Sequence, residues 1–166
     1  AVVAAVALAV AAALLASPAA AARGGGSGQL HVVSQGTAYV DVQGRVVALG
    51  VLPQPSRLEV KGRPGAFRVT VDGEVQRPNR RGLVRLLTAG RLFVQSIAPV
   101  RIRIQGADLD VSFAGRGQAF LSGAGTYSLN GSADEPWPGT PILIKPTPRR
   151  GRGQGQTPTT STSTRG

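Results

Sequence analysis

From Gln29 to Ile144, apolar and polar residues alternate in short runs, and turn-forming dipeptides interrupt the runs at intervals of roughly ten residues. Successive side chains of a strand point to opposite faces, whereas a helix repeats every 3.6 residues, so the alternation commits this stretch to half-buried strands. No segment of helical period interrupts it. Ala38, Val40 and Val42 share one parity, as do Leu58 with Val60, and Phe67 with Val69 and Val71. The same holds for Val100, Ile102 and Ile104, and for Leu109, Val111 and Phe113. These residues are the expected core.

Turns are expected where the sequence supplies residues that tolerate positive φ. Asp72-Gly73 is the strongest hairpin signal, and Asn130-Gly131 closes another strand. Gln43-Gly44 is read as a turn into Arg45 to Leu49, and Gln105-Gly106 as a two-residue hairpin loop that would set Arg103 opposite Asp108 and Arg101 opposite Asp110. Pro53, Pro55, Pro64 and Pro78 are expected between strands, because proline cannot donate to a ladder. Along residues 115 to 130, Gly115, Gly117, Gly123 and Gly125 share one parity, which leaves part of a face bare for close approach by a backbone or a large aromatic. About ten or eleven short strands favour a small antiparallel β-sandwich or flattened barrel. A short β-solenoid is the alternative, although no period recurs over three repeats.

The flanks differ from this domain. Ala1 to Ala16 is uninterrupted alanine, valine and leucine, followed by Ser17-Pro18 and the small residues Ala19 to Ala22. That is the hydrophobic region and cleavage-site pattern of a secretory signal, so residues 1–22 are expected to be a signal-like hydrophobic helix that is removed on export. An uncleaved membrane anchor is the competing reading, weakened by the small contribution of alanine to insertion. A basic n-region and initiator methionine are missing, so the sequence is expected to start within the leader. Residues 23–28 form a glycine-rich spacer, 29–145 the all-β domain, and 146–166 a disordered tail of proline, arginine, glycine, threonine and serine.

Composition removes several chemistries. Cysteine is absent, which rules out disulfides, thiolate nucleophiles and cysteine-ligated metals. His31 is the single histidine, so a histidine-rich metal site is impossible and any Ser-His-Asp triad would have to use it. No nucleophile-elbow pattern surrounds a serine. The glycine-rich strand has Phe120 and Ser128 where a dinucleotide loop would need glycine, and no helix follows it. No cofactor is expected. The formal charge is +11, with Lys61 and Lys145 the only lysines among 19 basic residues. Arginine excess of this kind also reflects a GC-rich coding bias. It favours anionic partners without specifying one.

The stretch from Arg91 to Trp137 carries Val-Arg-Ile-Arg-Ile-Gln-Gly at 100 to 106, Gly-Arg-Gly-Gln-Ala-Phe-Leu-Ser-Gly-Ala-Gly-Thr-Tyr at 115 to 127, then Asn130-Gly131 and Pro136-Trp137. It resembles a pattern recurring in exported β-domain proteins of GC-rich bacteria. The resemblance implies export and β structure, and brings no activity with it.

Candidate contact residues follow from charge and exposure. Arg77, Arg80 and Arg81 crowd one loop and suit anionic groups, as do Arg149, Arg150 and Arg152 in the tail. Trp137, held between two prolines, is a candidate for stacking on a ligand or for capping the sheet. Nucleic acid is not an expected partner, because the chain holds seven aromatics and the leader directs it out of the cytoplasm. Asp108 and Asp110 are the only plausible carboxylate pair for a hydrolase, but partnered arginines would make them poor general acids. The expectation is a non-catalytic envelope or secreted β-domain that attaches to anionic polymer or lipid. A secreted hydrolase using Asp108 and Asp110 is one alternative, and a membrane-tethered accessory subunit of an envelope complex is another.

Overall fold

The computed structural model describes residues 27–146. The leader, all but the last two residues of the spacer, and the tail with Arg149, Arg150 and Arg152 lie outside the described residues. Among the described residues there is no helix. Eight strands follow one another: β1 (Gly28–Gly62), β2 (Phe67–Val71), β3 (Glu74–Gln76), β4 (Leu83–Ser96), β5 (Val100–Ala107), β6 (Asp110–Leu129), β7 (Glu135–Pro136) and β8 (Ile142–Ile144). All pair antiparallel in one sheet of order β3-β2-β4-β1-β6-β7, with β5 also on β1 and β8 also on β6.

Three strands are long because the chain bends at places where shorter strands were expected to end. The β1 strand runs through Gln43-Gly44 without reversing, so the expected turn there is a corner. Gly44 lies directly opposite Gly117 on β6, and Val46 opposite Gly115. Gly44 and Gly115 have φ of 153° and 147°, and a Cβ on either would strike the facing strand's backbone carbonyl. Pro53 and Pro55 sit within β1 where its register against β4 shifts between Leu52 and Ser56, again bending rather than ending the strand.

These corners divide the hydrogen bonding into two ladders. In the first, the neighbours run in the order 124–129, 28–35, 110–115, 46–51, 90–96, 67–71 and 74–76. In the second the order is 142–144, 117–122, 37–44, 100–107, 57–62 and 83–88. Both ladders send alternate side chains into one cluster. Leu30, Val32, Ala48, Val69, Val94 and Phe113 come from the first, and Val40, Val42, Leu58, Ile102, Ile104 and Ile144 from the second. Every apolar residue listed by parity in the sequence, from Ala38 to Phe113, is in this core.

Two hairpin expectations hold and one fails. Asp72 and Gly73 adopt φ of 48° and 85° between paired Val71 and Glu74, and Asn130 and Gly131 adopt 53° and 75° at the end of β6. At Gln105-Gly106, by contrast, β5 and β6 do not pair with each other. Each pairs with β1, β5 against 37–44 and 57–62, and β6 against 28–35 and 39–51. The reason is parity: β5 belongs to the second ladder while β6 begins in the first. The chain therefore crosses between ladders at Asp108, whose φ is 54°.

Candidate functional site

The failed hairpin reassigns its four charges. Arg101 donates to Asp41, not Asp110, with Nη2 to Oδ2 at 2.6 Å. Arg103 lies directly opposite both Asp41 and Glu59 on β1, and its Nη1 donates to Glu59 Oε1 at 3.2 Å. Asp108 caps a turn, accepting from the Gly36 amide at 2.9 Å and from Gln54 Nε2 at 3.1 Å. Asp110 Oδ1 accepts a hydrogen bond from His31 Nε2 at 2.8 Å. The two aspartates thus serve separate partners in separate places.

On the outer surface of the second ladder, Asp41, Glu59, Arg85, Arg101 and Arg103 form a connected ion-pair network. Burial pushes the Asp41 carboxyl up, but hydrogen bonds from Arg101 and Tyr39, with the charges of Arg101 and Arg103, hold it below its ordinary value. The Arg85 hydrogen bonds do the same for Glu59 against a smaller cost of burial. Tyr39 donates to Asp41 at 3.2 Å, and burial, then the Asp41 charge, raises its phenol. Opposite charges here satisfy one another, which makes this face a structural brace.

The outer surface of the first ladder has a different chemistry. Direct register aligns Thr70, Phe93, Leu49, Ser112, His31 and Ser128 across six segments drawn from β1, β2, β4 and β6. Val47 and Val51 flank Leu49 on the same parity. Leu49 is 45% exposed, Val51 46% and the neighbouring Val75 55%, although all three lie in paired strands. Gln29, His31, Val47, Leu49, Phe93 and Ala114 line a groove of about 250 Å³ on this face. The groove floor is apolar and its far wall carries the His31–Asp110 pair.

Arg77, Arg80 and Arg81 are exposed on the loop between β3 and β4 and make no ion pair among the described residues. Asn79 organises that loop, accepting on Oδ1 from the amides of Arg81 and Leu83. Trp137 is partly buried against the core margin. Its Nε1 donates to the Thr126 carbonyl at 2.9 Å, and a Cβ added to Gly125 would come within 2.8 Å of its Cε2. The bare strand face expected from alternate glycines is therefore where the single tryptophan docks. Its N–H is engaged and its ring lies against the strand at Gly125.

The apolar outer face was missed in the sequence, although its signal was present. Residues 46 to 52, Val-Val-Ala-Leu-Gly-Val-Leu, are apolar on both parities, the pattern of a strand covered on two sides. Only one parity is covered here. Among the described residues, no group of three or more acidic or histidine side chains is placed to hold a metal ion. Compared with known proteins, the chain matches no family model, no curated protein and no solved structure.

Proposed function

We propose that this is an exported β-domain with a binding or structural role at the cell envelope, acting by surface attachment rather than by catalysis. The observation that carries the reading is the outer face of the first ladder. An apolar groove on a braced sheet is a surface for holding a partner, and contiguous exposed apolar residues commonly mark such surfaces. Because both ladders feed one core, we read the domain as a bent, open antiparallel sheet folded over into a small sandwich, and the solenoid loses ground. The leader at 1–22 supplies the address, and the arginines at 77, 80, 81, 149, 150 and 152 supply attraction to anionic envelope material.

The hydrolase alternative finds less support. Asp108 is spent on the Gly36 amide and Gln54, and Asp110 on His31, so each carboxylate is engaged by partners of its own. Fractionation of bacteria producing the full chain, with mass spectrometry of its N-terminus, tests the envelope reading. The expected result is an envelope or medium fraction whose chain begins between Ala20 and Arg23. A cytoplasmic chain that retains residues 1–22 would overturn it.

A further inference from the structure

We infer that the outer face of the first ladder docks on an anionic lipid surface. This deepens the envelope reading and rests on it. Three features of the face point to lipid. The first is an apolar centre on the outer face of the sheet, where Val47, Leu49, Val51 and Phe93 project from two adjacent strand segments with Val75 beyond them. Aliphatic and phenyl groups of this kind enter the boundary between headgroups and acyl chains, and they gain by leaving water.

The second feature is the charge around that centre. Arg45 precedes Val47 on the same parity, Arg91 stands directly opposite Val51, and Arg68 shares the parity of Thr70, which stands opposite Phe93. All three are exposed, and none is paired with a carboxylate among the described residues. Two carboxylates share this side, Asp110 directly opposite Val51 and bonded to His31, and Asp72, which has the parity of Thr70 and accepts from the Arg91 amide; the three arginines outnumber them. On the second ladder Arg85, Arg101 and Arg103 are engaged internally, against Asp41 and Glu59. A cationic rim around an apolar centre complements anionic headgroups over acyl chains, and each basic residue near such a surface adds to the attraction. It does not complement a second copy of itself, since two such rims would repel.

The third feature is where the chain enters. The described domain begins beside Gln29, which lines the groove, so the polypeptide that follows the apolar leader joins the domain at the edge of this face.

The test is sedimentation of the full chain, as recovered from the producing cell, with extruded vesicles of phosphatidylcholine alone or with about 30% phosphatidylglycerol, at low and high salt. Comparing variants in one chain keeps any contribution of the leader or tail constant. The parent is expected to partition at least about tenfold more strongly onto the anionic vesicles, and to lose that preference at high salt. Leu49→Glu with Val51→Glu is expected to lower partitioning about tenfold or more, and Arg45→Gln, Arg68→Gln, Arg91→Gln to remove the preference for anionic lipid. Arg57→Gln with Lys61→Gln, on the second ladder, should leave binding as it was. Trp137 fluorescence reports whether each variant keeps its fold, and Thr70→Glu on the same face stands in if the Leu49 and Val51 changes lose it.

Equal binding by all folded variants would overturn the proposal and place attachment in the leader or tail. Failure of the parent to prefer anionic vesicles would also overturn it. A dimer in sedimentation velocity that Leu49→Glu dissociates would replace lipid by a second copy. A chain found in the envelope that ignores vesicles leaves the export reading intact and removes only the lipid, whereas a cytoplasmic chain removes both.

Discussion

Asp41 accepts its shortest hydrogen bond from Arg101, at 2.6 Å, although the residue directly opposite it across the ladder is Arg103. One carboxylate thus joins two arginines, and Arg103 Nε is buried with no hydrogen bond, held near Asp41 Oδ2 at 3.5 Å. Removing Asp41 would leave both cations short of a partner. Loss of one partner from a fully buried pair costs about 3–5 kcal/mol, and the partial exposure of both guanidiniums reduces this to roughly 1–3 kcal/mol. Urea unfolding of Asp41→Ala should show that loss, and more of it than Arg101→Ala, which leaves Arg103 on Asp41.

The same network sets an acid limit. Asp41 and Glu59 both lie below their ordinary values of 3.8 and 4.5 in the folded chain. A carboxyl lowered by folding stabilises the fold above its unfolded value and loses that contribution as pH falls through the folded one. Stability measured by urea midpoint should therefore be level from neutrality to about pH 5 and decline below about pH 4. The decline should shrink in Asp41→Asn. An unchanged acid slope in that variant would remove Asp41 from the explanation.

Gly115 tests the corner that carries β6 between the ladders. Its φ of 147° and the nearby Arg45 carbonyl leave no place for a side chain. Gly115→Ala should destabilise by about 2 kcal/mol or more, combining backbone strain with a clash. Gly139, where a Cβ would meet nothing within 4 Å, should accept alanine within about 0.5 kcal/mol. Equal stability of the two variants would mean the strands do not turn at Gly115.

Gly125 holds Trp137 by having no side chain. A side chain at Gly125 would strike the Val33 carbonyl of the paired strand as well as the indole, so Gly125→Val should displace the ring, shift the emission of the single tryptophan toward the solvent value, and cost about 2 kcal/mol or more. An unshifted spectrum would place Trp137 elsewhere.

Asp108 is engaged as a turn residue. Its φ of 54° is tolerated by asparagine and opposed by alanine, and its carboxylate holds the Gly36 amide. Asp108→Ala should cost about 1–2 kcal/mol and Asp108→Asn less than half of that. A folded Asp108→Asn that lost a hydrolytic activity would instead revive the secreted hydrolase.

Every side chain that parity marked in the sequence, from Ala38 to Phe113, lies in the core, because burial on one side of a strand is written in alternate residues; Val46, Ala48, Leu52, Val84, Leu92 and Val94 joined it unmarked. Pairing was less legible. Gln105-Gly106 carries a plausible hairpin turn and charges that would match across it, but a bent strand offers β5 a second partner on each side, and β1 supplies both. Gly44 and Pro55 read as strand ends because a corner and a turn call for the same residues. The apolar outer face went unread since Val47, Leu49 and Val51 look like core until the sheet is seen to leave them uncovered.

The absence of cysteine allows one measurement to separate the two faces. An environment-sensitive dye is attached to Leu49→Cys on the first ladder, or to Gln105→Cys on the second, and its emission is followed as phosphatidylglycerol vesicles are added. Docking through the first ladder is expected to shift the dye at position 49 to the blue and leave that at 105 unchanged. Equal shifts at both positions, or a shift at 105 alone, would contradict it.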